Sequence, residues 1–181
     1  MATLSSKTLF FVTSPRTPFK MIPEIKLLVE EFSGKPWNIS TQEQFAKRLS
    51  VGEFFEGDAV NDSAFSARDR INRAPKAFGF VDIKPTIQLT EPGKQLVYGK
   101  RPYEIFTRQL LKFQLPSPFH KDPGNVFNVK PFLEILRLIY DLGHLTKDEI
   151  KIFGIQITDY RKYEIIKNKI ISFRNKASEL D

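Results

Sequence analysis

Apolar side chains recur along the chain at changing spacings, and the changes mark out its elements. Ile25, Leu28, Val29 and Phe32 fall at i, i+3, i+4 and i+7, which predicts a helix over 22–34 with Pro23 in its first turn and Gly34 at its close. A second helix opens at Ser40 or Thr41, with Glu43 or Gln44 completing a capping box and Phe45 and Leu49 facing inward. Residues 52–62 hold Glu53, Glu56, Asp58 and Asp62 beside two glycines and no base, an acidic surface loop. From a Ser63 cap to Pro75 a third helix places Ala64, Ala67, Ile71 and Ala74 on one face. The period then shortens toward two. Residues 78–83 and 86–89 predict a β-hairpin around Lys84-Pro85, and Thr90 opens a short helix that runs to Tyr98.

Helical spacing returns at Pro102, with Tyr103, Phe106, Leu110 and Phe113 directed to the core and Glu104, Arg108 and Lys112 on a solvated side. Gln114 to His120 form a stiff, proline-rich loop, and 121–128 mark a boundary. The helix that begins at Pro131 carries Phe132, Leu133, Ile135, Leu136, Leu138, Ile139 and Leu142, so little of its surface is polar and it is expected at the centre of a second unit. Gly143 ends it, Leu145 anchors the turn, and Thr146 to Glu149 form a capping box for the next helix. A last helix over about 159–175 turns Tyr163, Ile166, Ile170 and Phe173 inward and carries Arg161, Lys162, Lys167, Lys169, Arg174 and Lys176 against Glu164. The fold class is therefore mainly α with small β-hairpins. Helix, hairpin, short helix is the layout of a winged helix-turn-helix, which gives a first subdomain over 1–120 with its wing at about 78–90 and a second, helix-turn-helix-like and incomplete one over 121–181.

Composition narrows what such a chain can do. Of 181 residues, 28 are Lys or Arg and 21 are Asp or Glu, a formal net charge of +7, while 41% hydrophobic content is enough to build a core. Cysteine is absent and histidine is limited to His120 and His144, which excludes cysteine-based zinc fingers, iron–sulfur centres, disulfide scaffolds and thiol catalysis in this chain. No uncharged apolar stretch approaches the roughly 18 residues of a membrane span, and no export signal is present, so the expected location is the cytoplasm and no membrane partner is expected. No phosphate-binding loop, nucleophile elbow or HExxH motif occurs. The triplets Glu24-Ile25-Lys26, Asp82-Ile83-Lys84 and Glu149-Ile150-Lys151 match the end of the PD…(D/E)xK nuclease pattern, but no convergent carboxylate set can be assembled around them. The positive charge concentrates where the acidic loop ends. Arg68, Arg70, Arg73 and Lys76 oppose Asp69 alone, and Ser66, Asp69, Arg70 and Arg73 share the face opposite the alanines. A cationic helix face before a wing suits phosphate and base contact, although Asp69 and Arg73 at i,i+4 would also pair as ordinary surface ions.

Several longer strings carry a family likeness. Thr13-Ser14-Pro15-Arg16, Ala67-Arg68-Asp69-Arg70, Arg73 to Phe80, Leu89-Thr90 with Gly93 to Val97, and Gln109 to Pro118 closely resemble the amino-terminal half of type IIS restriction endonucleases of the MlyI/PleI (AlwI-like) group. The resemblance spans about Leu9 to Arg174. It implies a DNA-recognition region of winged-helix-like subdomains, an asymmetric GAGTC-like site, and a separate carboxy-terminal PD…(D/E)xK domain that needs Mg2+ to cut outside that site. The chain departs from the family by ending before such a domain, so it is expected to resemble a type II site-specific deoxyribonuclease in recognition, with no catalytic residues and no cofactor of its own, and with a separate nuclease domain or subunit as a partner beside double-stranded DNA. On that reading Ser66, Arg68, Asp69, Arg70, Arg73 and Lys76 face the major groove, Lys84 sits on the wing, and Arg16, Lys20, Lys112, Gln114 and Ser117 make backbone or secondary contacts. A free-standing winged-helix regulator shares the fold and charge without the strings. A protein-interaction module built on the 131–142 helix is a further alternative.

Overall fold

The structure is a computed structural model that describes residues 2–3, 9, 18–51, 63–118, 120–121 and 126–178. In chain order it runs β1 (Ala2–Thr3), α1 (Pro18–Phe32), α2 (Ile39–Ser50), α3 (Ser63–Ala77), β2 (Val81–Asp82), β3 (Gln88–Leu89), α4 (Glu91–Tyr98) and α5 (Pro102–Lys112). It continues through β4 (His120–Lys121), α6 (Pro131–Leu142), α7 (Lys147–Ile152) and α8 (Tyr163–Ser178), with 3-10 turns at Gly154–Gln156 and Tyr160–Lys162. The architecture is mainly helical with a small two-stranded antiparallel sheet. No helix among the described residues is long and apolar enough to cross a membrane. Two compact units emerge, residues 12–109 and residues 1–11 with 110–181, so the division crosses α5 near residue 110, whereas the sequence pattern placed a boundary at 120/121.

In the 12–109 unit, Met21, Ile25, Leu28 and Phe32 form the buried stripe of α1 and meet Phe45, Ala46 and Leu49 of α2. Phe32 and Trp37 both pack edge-on against Phe45, with ring centroids 5.9 and 5.8 Å away. Asn38, rather than Ser40 or Thr41, caps α2 by accepting the Thr41 amide at 3.0 Å, because its extended backbone puts the side chain under the first turn. Ala67, Ile71 and Ala74 of α3 are fully buried, as their spacing requires, and the two alanines let α3 lie close to its neighbours. Pro75 does not end α3, contrary to expectation. It removes only the amide that would bond Ile71, so the helix continues to Ala77 and the Phe80 amide then takes the Pro75 carbonyl at 2.9 Å.

The hairpin is present but short, with Val81 opposite Leu89 and Asp82 opposite Gln88. Its second arm is tied to the α1–α2 loop, where the Ile87 amide donates to the Lys35 carbonyl at 2.9 Å and the Gly34 amide donates to the Ile87 carbonyl at 2.9 Å. Thr90 caps α4 by accepting the Gly93 amide at 3.1 Å. Gly93 lies so close to the Phe80 carbonyl that a Cβ there has no room. Phe106 stacks on Phe80 at 6.0 Å, but Tyr103, expected inside, is exposed at the start of α5.

In the other unit, the segment after α5 is held by pairing. Leu115 and Val129 exchange backbone bonds at 2.8 and 2.9 Å, and β4 lies parallel to β1. Capping follows the sequence: Gly143 stops α6 at φ +78°, and Thr146 with Glu149 forms the capping box of α7 at 3.1 and 2.8 Å. Tyr163, Ile166 and Ile170 are buried on α8, whereas Phe173, expected inside, is exposed against Phe153. α6 is not central to its unit. Only Pro131, Glu134 and Leu138 are buried, and Leu133, Leu136, Ile139 and Tyr140 face solvent.

Candidate nucleic-acid interface

The chemistry of α3 follows from its two faces. With the alanine face turned inward, the opposite side carries Arg68, Asp69, Arg70 and Arg73, and Lys76 follows in the last turn. Arg68 is exposed, while Arg73 is about two-fifths exposed and pairs with Asp69 one turn earlier. That pair holds the Arg73 guanidinium in one orientation on the helix surface. Lys76 lies partly covered near the hairpin, and burial first, then the like charge of Lys84, push its ammonium below the ordinary range, with Asp82 opposing. Lys84 itself is exposed at the hairpin tip. The structure therefore brings Lys76 and Lys84 near one another from different elements.

Arg70 is placed otherwise. It donates to Glu24 of α1, its side chain is only 16% exposed, and Glu24 is wholly buried. Glu24 shares the inward stripe of Met21, Ile25 and Leu28, and a carboxylate in an apolar stripe was the sequence signal for a buried partner. Burial pushes the Glu24 carboxyl up to about 7, against the lowering effect of Arg70 and of Lys20, one turn earlier on α1. Its Oε2 has no hydrogen-bond partner. Lys20 is half-buried.

The other named positions are scattered. Lys112 is exposed at the end of α5, Gln114 is exposed and Ser117 is half-buried, all three in the unit formed by 1–11 and 110–181. Arg16, the Ser66 side chain and the acidic loop at 52–62 lie outside the described residues. The basic residues of the last helix are largely engaged within their own unit. Arg161 is bidentate to Asp159 at 2.6 and 2.8 Å, Lys162 reaches the Thr158 hydroxyl at 2.7 Å, and Lys167 bridges Asp141 and Glu164 at 3.3 and 2.8 Å. Arg174 grips Glu149 and donates to the Leu142 and His144 carbonyls at 3.3 and 2.7 Å, so it satisfies the open end of α6.

The Mg2+ that the family likeness implies finds no fitting donor set among the described residues. No three His, Asp or Glu residues gather there. Glu24 is spent on Arg70, and Glu149 caps α7 while it pairs with Arg174. Asp82 stands exposed on β2.

A family model described as AlwI restriction endonuclease matches residues 77–181, more than half of the chain, beginning at the last residue of α3 and taking in the hairpin and everything after it. No curated protein matches the chain.

Proposed function

The chain belongs to the AlwI restriction endonuclease family, and from that premise we propose that it recognises duplex DNA as the specificity part of a type IIS restriction endonuclease. Family membership makes it a component of restriction–modification, with DNA as partner. The finer reading is a winged-helix-like module of the MlyI/PleI kind that recognises a GAGTC-like asymmetric site. The observation that carries it is the cationic face of α3, with Arg68, Arg73 and Lys76, whose last member lies near Lys84 of the hairpin. Arg68 and Arg73 read base edges in the major groove, with Asp69 orienting Arg73, and Ser66, Lys76 and Lys84 contact phosphates. Arg70, held by Glu24, fixes the base of that face, and Arg16, Lys20, Lys112, Gln114 and Ser117 supply secondary contacts. Mg2+-dependent cleavage is assigned to a nuclease domain or subunit other than the described residues, a reading supported by the engagement of Glu24 with Arg70 and of Glu149 with Arg174.

Fluorescence anisotropy with a GAGTC duplex and a scrambled one tests this division. Arg73→Ala should cut discrimination by about 1–3 kcal/mol, whereas Lys84→Ala should weaken both duplexes alike and reduce the salt slope by about one. Equal loss of both duplexes in Arg73→Ala would sink the base-reading role. Linearisation of plasmid by the purified chain with Mg2+ would overturn the assignment of cleavage elsewhere.

A further inference from the structure

Three extended segments lie side by side in the 110–181 region. Leu115 and Val129 are bonded across the first pair, and the second pair is joined by Asn128 N–H to the Thr158 carbonyl at 2.9 Å and Tyr160 N–H to the Asn128 carbonyl at 3.0 Å. Together with the first turn of α6 they enclose a groove of about 280 Å³. This is at the small end for a ligand site, below the roughly 300–1,000 Å³ of drug-sized pockets, and suits one ring system.

Its lining combines groups that packing alone does not explain. Glu134 is 93% buried, yet its Oε2 makes no hydrogen bond among the described residues, and its ion pair with Arg137 spans 3.7 Å, beyond hydrogen-bond reach. Burial holds its carboxyl above the ordinary range. An unmet buried acceptor is costly unless something donates to it. The walls are apolar and aromatic at Leu133 and Tyr160, both exposed, and the exposed Gln114 and Asn128 amides can each donate and accept. A simple cation would satisfy Glu134 but leave the amides and the apolar walls unused. A carboxylate or phosphate would be repelled by the Glu134 carboxylate in the lining. A planar heteroaromatic ring with an amino group uses every part: its face lies against Tyr160 and Leu133, its amine donates to Glu134, and its remaining edge meets the amides.

We propose that this groove is a binding site for an amino-bearing nucleobase, guanine, adenine or cytosine, which it prefers over thymine. Thymine has no exocyclic amine, and its one ring N–H is flanked by two carbonyls that would face the carboxylate. Lys130 at the groove edge is placed to meet a phosphate attached to such a base. The site rests on the DNA reading only for the source of the base, which is either a base unstacked from bound DNA or a free nucleotide.

Titration of the isotope-labelled full chain with the four deoxynucleosides, followed by amide chemical shifts, tests the site. Deoxyguanosine, deoxyadenosine and deoxycytidine should give saturable shifts confined to residues 114–116, 128–134 and 158–160, with thymidine weaker by about tenfold, the worth of one hydrogen bond to a charged acceptor. Tyr160→Ala, at an exposed position, should weaken binding by about fivefold or more through lost stacking. Glu134→Met should erase the preference against thymidine. Equal shifts with thymidine, shifts outside the groove, or no change in Tyr160→Ala would overturn the proposal. The source is decided with duplexes carrying 2-aminopurine at successive positions. A rise in emission on binding that Tyr160→Ala removes identifies a DNA base, whereas a bound duplex with no rise at any position overturns DNA as the source. A chain that binds nucleosides but no duplex would overturn the DNA reading and leave this site standing.

Discussion

Each unit of this protein buries a glutamate against an arginine, and the two pairs behave in opposite ways. Glu24 of α1 meets Arg70 of α3, keeps one oxygen without a partner, and has its carboxyl pushed up to about 7 by burial. Glu149 of α7 is almost as buried, yet its carboxyl is held down to about 2. The difference lies in donors. Glu149 accepts two guanidinium bonds from Arg174 at 2.6 and 3.0 Å and the Thr146 amide at 2.8 Å, which together outweigh desolvation. Glu24 accepts from Arg70 at one oxygen, has no hydrogen bond at the other, and loses to burial. A buried ion pair is thus a stabilising clasp or an ionisable weak point according to how many hydrogen bonds complete it.

Breaking the stronger clasp should have the largest effect. Glu149→Ala removes the capping partner of Thr146 and leaves Arg174 without its carboxylate, an expected loss of about 3 kcal/mol or more in urea denaturation. Glu149→Gln retains a capping-competent amide at the same position and should lose clearly less, and the difference between the two variants measures the ionic part. Because the folded carboxyl lies below its ordinary value, the contribution of Glu149 is fully present above about pH 4.5 and fades as the pH falls toward about 2.

Glu24 should show the reverse dependence. Its folded carboxyl lies above the unfolded value, so the stability linked to its proton is present below about pH 4.5 and is lost as the pH rises through about 7. Glu24→Gln, which keeps an acceptor for Arg70 without the charge, should therefore gain stability relative to the parent at pH 8 compared with pH 4, read from melting temperatures at both pH values. A constant difference across that range would mean that Arg70 and Lys20 cancel the effect of burial and leave the folded carboxyl at its ordinary value. The smallest effect is expected from Asp159→Asn. Asp159 is held down to about 2 by Arg161, but that arginine is mostly exposed and screened by solvent. The variant should lie slightly below the parent above about pH 4, and the gap should close as the pH falls toward about 2, where the parent loses what the asparagine never had.

What was legible in the sequence was what neighbours along the chain decide. The Thr146–Glu149 capping box, the Gly143 stop, the stripe of α1 and the small inner face of α3 depend on residues three or four apart, so periodicity finds them. The cap of α2 was missed because Ser40 and Thr41 offered equal local chemistry, and only the course of the chain after Trp37 put Asn38 in place. Tyr103, Phe173 and the outer residues of α6 were assigned to the core from spacing, which shows that a stripe exists but not whether another element covers it.

The candidate interface divides in the same way. Reversal of charge after 62 and the cationic face of α3 were plain in the sequence, because side-chain direction on a helix follows from its pitch. That Arg70 turns to Glu24, 46 residues away, and that Arg174 closes α6 through carbonyls 30 and 32 residues back, were not, since nothing local selects among many carboxylates and carbonyls. The groove beside Glu134 belongs wholly to tertiary structure, because its walls come from segments near 115, 129, 133 and 160. Sequence alone determined which helices form and which faces carry charge, through interactions within one turn. Which charges remain free for a ligand was decided only when distant segments met, because a buried carboxylate takes whichever donors the packed fold sets beside it.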